Sequence, residues 1–181
     1  MAPPVGVWHN ALMNPSIAEA LNEQIRKEFT AAFLYLSFSV NMKEYGMKGA
    51  GRWLRAQYFE ECGHALHLLD YMELRRIKVT IPPITAPDYE WHTPLDIFRL
   101  ALEHEQLITQ SIHALVTLCR DEQDYATQGM LMDYVKEQVE EEDQVSEIVE
   151  SLRRCGNDES SLLQIDMRLG DAREEVKIPW S

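Results

Sequence analysis

Between residues 15 and 154, apolar side chains recur every third or fourth position in four stretches, the rhythm of helices that each bury one face. The first seam reads Leu21, Ile25, Glu28, Ala32, Tyr35, Ser39 and Met42. The second reads Leu54, Tyr58, Glu61, Ala65, Leu68 and Met72. The third reads Phe98, Leu102, Glu105, Thr109, Ile112 and Val116, and the fourth Leu131, Tyr134, Gln138, Glu141, Val145, Ile148 and Leu152. Asn14-Pro15 suits a helix start and Gly46 a helix end, so the first helix spans about 15–44 and the second about 49–76. "IKVTIPPITAPDYEWH" is Pro-rich and not helical. Thr93-Pro94 supplies a cap and a first-turn proline for a third helix running to about Arg120. Asp124 caps a fourth that runs to about Arg154, where "CGND" stops it. A short fifth helix fits roughly 159–169, ended by Gly170.

Two hairpins of long helices joined by one long crossover predict an all-α fold: a four-helix bundle with a short C-terminal fifth helix. The short turns make each pair antiparallel, and the long link lets the second and third helices run parallel. No linker or low-complexity tract divides the chain, so one domain is expected over 1–181, with the bundle at about 15–155.

Each seam is broken near its middle by a polar residue. Glu28 lies 18 residues before the turn at 46, and Glu105 lies 18 before the turn at 123. Glu61 and Gln138 each lie 15 after their turns, and His64 and Glu141 each lie 18 after. The hairpins therefore repeat, pairing Glu28 with Glu105, Glu61 with Gln138 and His64 with Glu141. At a rise of ~1.5 Å per residue, all six sit roughly 23–27 Å from their turns, in one layer. Four uncompensated carboxylates in a core layer would cost many kcal/mol or take up protons, and divalent or trivalent cations remove that cost. An oxygen-rich set with one imidazole suits iron or manganese better than thiolate-bound zinc. In this reading Glu61 bridges two metal ions and His64 is a terminal ligand. Tyr35 belongs to the same core with its hydroxyl near the metals, where a redox role is one of its options. The remaining histidines, His9, His67, His92, His104 and His113, lack this setting and read as surface or packing residues.

Composition narrows the partners. A net charge of −13 argues against nucleic acid and suits either metal cations or simple solubility. No apolar run approaches the ~20 residues that span a membrane. "MAPPVGVWHN" lacks the pattern of a signal peptide. Cys62, Cys119 and Cys155 are odd in number and widely spaced, which favours a reducing compartment, hence the cytoplasm, over a disulfide framework.

"LNEQIRKEFTAAFLYLS", "EECGHALHLLDY", "EHEQLITQSI" and "DYVKEQVEEED" together resemble the bacterial non-haem ferritins, over about residues 13–170. The resemblance implies a first iron held by Glu28, Glu61 and His64, a bridging Glu61, and a second iron held by Glu105 and Glu141 with Gln138 close by. It also implies a third, weaker iron site at Glu60, Glu137, Glu140 and Glu141, although "EQVEEED" reads equally as a solvated face. It implies Fe(II) oxidation to Fe(III) by O2 or H2O2, a ferric oxyhydroxide mineral, and a shell of 24 subunits.

The haem-containing relatives carry a second Glu-x-x-His on the fourth helix and a methionine ligand. Here Gln138-Val139-Glu140-Glu141 and Cys62 stand in those places, so no haem is expected and Cys62 reads as a small buried apolar side chain. A rubrerythrin-like di-iron peroxidase or oxidase is the alternative, but it wants that second Glu-x-x-His and often a Cys-rich segment. A subunit that only nucleates mineral would have lost the site carboxylates. A DNA-protecting mini-ferritin would place its ligands between subunits.

Overall fold

The helix ends follow from local chemistry. In the computed structural model, which describes residues 13–81, 83–85 and 89–172, five helices follow one another: α1 (Pro15–Tyr45), α2 (Lys48–Leu74), α3 (Pro94–Asp121), α4 (Tyr125–Cys155) and α5 (Glu159–Asp171). No strand occurs among the described residues. The N-terminal stretch with His9, and the tail beyond residue 172, lie outside them.

Asn14 accepts from the Ser16 backbone N–H at 2.9 Å and opens α1. Gly46 closes α1 at φ 103°, a left-handed conformation that costs glycine little, and its N–H returns to the Lys43 carbonyl. Thr93 and Asp96 exchange hydrogen bonds in a capping box at the start of α3. Asp124 caps α4 through the Thr127 N–H at 3.1 Å. Asp158, not anticipated from the sequence, caps α5 through the Ser161 N–H at 2.8 Å.

Contacts at the two ends of the bundle give the chain direction. Trp53, early in α2, packs on Phe98, early in α3, with ring centroids 5.8 Å apart. Arg75, just past α2, meets Asp124, just before α4, at 3.3 Å. So α2 and α3 run parallel, and the crossover climbs the length of α1. It is pinned low by the Thr80 N–H on Asn22 at 2.7 Å and high by Trp91 against Tyr45. The α5 helix docks across the start of α2, where Gly49 leaves no room for a side chain. A Cβ there would lie 1.8 Å from the Asp166 carbonyl oxygen. The Ala50 N–H donates to Asp166 Oδ1 at 2.8 Å beside it.

The apolar core is split in two. One cluster holds Leu34, Phe38, Leu54, Phe98 and Val145, and the other Ile25, Leu68, Ile108, Leu131 and Tyr134. The polar interruptions of the four seams fall between them. Two seam assignments change. On α3, Leu102, Thr109 and Val116 are only half-buried, whereas Ala101, Ile108, Leu115 and Cys119 are buried. The apolar face of α3 is wide enough for either neighbouring row to serve as the seam, and packing against α1 and α4 selected the row one residue earlier. On α2, Tyr58 is half-buried and Gln57 is the fully buried neighbour. Among the described residues no helix is long and apolar enough to cross a membrane.

Candidate metal centre

Each of the four long helices sends at least one polar side chain into the layer between the two clusters. Glu28 of α1, Glu61 of α2, Glu105 of α3, and Gln138 and Glu141 of α4 are all buried, none more than 4% exposed. His64 lies one turn after Glu61, the spacing that puts two side chains on one helix face. Glu28, Glu61 and His64 bring one ligand atom each within 4.8 Å of one another. His64 Nδ1 lies 3.5 Å from Glu61 Oε2, and its Nε2 lies 3.2 Å from Glu137 Oε1.

The other half of the layer is arranged differently. Glu105 accepts hydrogen bonds from the Tyr35 hydroxyl and, at 3.1 Å, from Gln138 Nε2. Glu141 accepts from Gln57 Nε2 at 2.8 Å. Glu105 and Glu141 thus share the layer, held by neighbouring donors, without joining the three-residue cluster.

The electrostatics is that of anions removed from water. Burial raises the pKa of Glu28, against a hydrogen bond from Gln24 that works to lower it. Burial and then the charge of Glu105 hold Glu61 well above the usual carboxylate range. Burial also raises Glu105, opposed by its bonds from Tyr35 and Gln138. Burial alone would push the His64 imidazole down. The Glu61 carboxylate beside it and the other nearby negative charges outweigh that and raise it to about 10. Glu28 Oε2 and Glu61 Oε2 are buried with no hydrogen-bond partner. A buried acceptor left this way costs about 1–3 kcal/mol, and more when charged. A cation bound by these two oxygens and the imidazole removes that cost, so the donor set fits a hard or borderline metal ion such as iron.

The carboxylates proposed for a third iron are more dispersed. Glu60 and Glu137 are half-buried, Glu140 is exposed, and Glu141 turns to Gln57. Among the described residues they form no three-ligand group. His67, His92 and His113 are exposed, and His104 packs half-buried between helices. Cys62 is half-buried beside Tyr58 rather than fully buried, because its side of α2 lies at the edge of the packed face.

Three supporting roles escaped the sequence reading, which places Tyr134 only as a seam residue and does not single out Gln24 or Gln57. Gln24 donates to Glu28, and Gln57 donates to Glu141. The Tyr134 ring meets the His64 ring edge-on at 5.6 Å, and its hydroxyl donates to the His64 carbonyl at 2.9 Å. Gln24, Gln57 and Tyr134 stand four residues before Glu28, Glu61 and Gln138 respectively. A polar or amphipathic residue one turn before each interrupting residue was the available signal.

Both the sequence and the fold are similar to those of known proteins. The Ferritin-like domain family matches residues 18–155. The chain belongs to the ferritin family. It is similar to the bacterial non-heme ferritin of Bacteroides fragilis, 35% identical over 159 residues, which covers 88% of this chain and 99% of that protein. The corresponding protein of Campylobacter jejuni is 37% identical, covering 86% and 93%. Among solved structures, an open pore ferritin from the archaeon Archaeoglobus fulgidus superposes with a TM-score of 0.87. It is 40% identical and covers 90% of this chain and 99% of its own. In this ferritin, as in the sequence-based expectation, the fold is all-helical with a short fifth helix.

Proposed function

We propose that this chain is an iron-storage ferritin whose single domain oxidises Fe(II) at an intra-subunit di-iron site. One observation carries the reading. Four buried carboxylates from four helices share one layer with a single imidazole, and two carboxylate oxygens there, on Glu28 and Glu61, have no hydrogen-bond partner.

Iron is the substrate. Glu28, Glu61 and His64 take the first Fe(II). Glu105 and Glu141 take the second, with Gln138 beside them and Glu61 shared between the two. Each Fe(II) gives up one electron. The pair reduces one O2, with two protons, to H2O2, or one H2O2, with two protons, to two waters. Fe(III) hydrolyses more strongly, releases protons and moves on. The unequal halves suit turnover, since one position has a histidine and the other only carboxylates and an amide. Glu137, which already reaches His64, marks a path toward a third, weaker iron position with Glu60, Glu140 and Glu141. No haem takes part, since no second Glu-x-x-His stands on α4. Twenty-four copies form the shell that holds the ferric oxyhydroxide mineral, in the cytoplasm, where free thiols such as Cys62, Cys119 and Cys155 are stable.

The test is to add Fe(II) to metal-free protein and follow O2 consumption and particle mass in one sample. Rapid oxidation in a particle of shell size is expected, and Glu61→Ala should abolish the fast phase in a folded protein. An unchanged initial rate in that variant would remove Glu61 from the bridging role.

A further inference from the structure

Glu28 is held from behind by a chain of three hydrogen bonds. Gln24, buried one turn earlier on α1, donates from Nε2 to Glu28 Oε1 at 2.8 Å. Gln24 Oε1 accepts from the Ser111 hydroxyl of α3. Ser111 Oγ accepts from Lys27 Nζ at 2.6 Å. The chain runs from a half-buried lysine on the α1/α3 groove to a carboxylate of the acidic layer.

Every proton in it points the same way. An ammonium has donors and no acceptor, so Lys27 takes a lone pair of Ser111 and leaves its one O–H to go forward. Gln24 receives that O–H on its amide oxygen and has only its NH2 to turn toward Glu28. The inner end of the chain can therefore only donate, which favours a charged carboxylate. It engages Oε1 and leaves Oε2 without a hydrogen bond. The chain has no counterpart in the second hairpin. The residue one turn before Glu105 is Ala101, and Glu105 is held by Tyr35 and Gln138 instead.

We propose that Lys27, Ser111 and Gln24 form a positioning relay that presents Glu28 as a one-oxygen ligand, Oε2 outward, to the first iron only. The proposal rests on Glu28 being an iron ligand. The relay makes the two metal positions unequal: the first is pre-arranged by a polarised chain that starts with Lys27, and the second by a phenol and two amides.

Co(II), which does not turn over, is the probe, with the full chain freed of metal. Affinity and visible ligand-field bands are read together, and far-UV circular dichroism with the metal-free melting midpoint checks folding. Ser111→Ala, Lys27→Met and Gln24→Leu should each weaken the first Co(II) by ~10-fold or more, the usual size of an outer-ligand effect, and alter its bands. The second Co(II) should bind as before. Ser111→Thr, which keeps the hydroxyl, should restore affinity and spectrum. Glu28→Ala separates the two levels. If it leaves the first Co(II) unaffected, Glu28 is no ligand and the underlying assignment fails. If it removes that ion while Ser111→Ala and Lys27→Met change neither affinity nor bands, only the relay is wrong. If Ser111→Thr fails as fully as Ser111→Ala, packing rather than the hydroxyl is responsible, and the relay is again overturned.

Discussion

Tyr35 of α1 and Glu105 of α3 meet in the middle of the bundle, the phenol hydroxyl donating to Glu105 Oε1. Burial and the surrounding carboxylates hold the Tyr35 phenol well above its usual value, so it stays a donor. Tyr35→Phe keeps the ring and removes only that donor. The bundle should fold with a stability change of about 1–2 kcal/mol, while Fe(II) oxidation slows by ~10-fold, as for other residues that orient a metal ligand. Stopped-flow absorbance would measure it, and a parental rate would rule out any part for the hydroxyl.

Glu61 is buried beside the charges of Glu105 and Glu28. A non-oxidisable divalent ion at 100 times its dissociation constant adds about 2.7 kcal/mol to the folded state. For a chain of this size that is a rise of roughly 5–10 °C in melting midpoint. Glu61→Gln, nearly the same shape without the charge, should erase most of that rise. A full rise in the variant, measured by scanning calorimetry with Zn(II), would place the ion elsewhere.

Asp124 ties the start of α4 to the end of α2. Burial pushes its carboxyl up, but the Thr127 hydroxyl and backbone N–H and the Arg75 guanidinium outweigh this and hold it below the ordinary carboxylate range. A lowered folded-state pKa stabilises the fold above the unfolded value of about 4, and that gain is lost as pH falls through the folded value. Urea unfolding between pH 2 and 6 should show this acid limb. Asp124→Asn, which keeps a capping oxygen but removes the charge facing Arg75, should flatten it and cost up to about 1 kcal/mol at neutral pH. An unchanged pH slope in the variant would assign the limb to other carboxyls.

Gly49 is where α5 rests on α2, against the Asp166 carbonyl. Gly49→Ala forces the two backbones apart, at a cost of about 1–3 kcal/mol. The loss should be local, with limited proteolysis removing the segment after Cys155 while the four long helices persist. Equal resistance in parent and variant would mean that α5 shifts without undocking.

Glu137 and Glu140 test the third iron position. Replacing both with glutamine should leave initial oxidation near the parental rate and lower the number of irons bound per chain in anaerobic Fe(II) titration. Unchanged stoichiometry would return this stretch of α4 to the role of a solvated face.

What local chemistry governs was legible from the sequence. Asn14, Gly46, Thr93 and Asp124 end helices through bonds to residues a few places away, so the helix limits stood within about two residues of those seen. The acidic layer was legible for a related reason. A core seam admits a carboxylate only where something compensates it, and four such breaks at matched distances from two turns place their residues in one layer. The rows of side chains that actually meet were decided by tertiary structure. On α3 the packed row was Ala101, Ile108 and Leu115, because a broad apolar face offers two rows and only the neighbouring helices choose between them. The bonds of Gln57, Tyr35 and Tyr134 to the layer depend on how far apart the helices stand, as does the contact of Gly49 with Asp166. Helical periodicity says which way a side chain faces around its own axis. The group it meets there belongs to a distant stretch of chain, and only packing brings the two together.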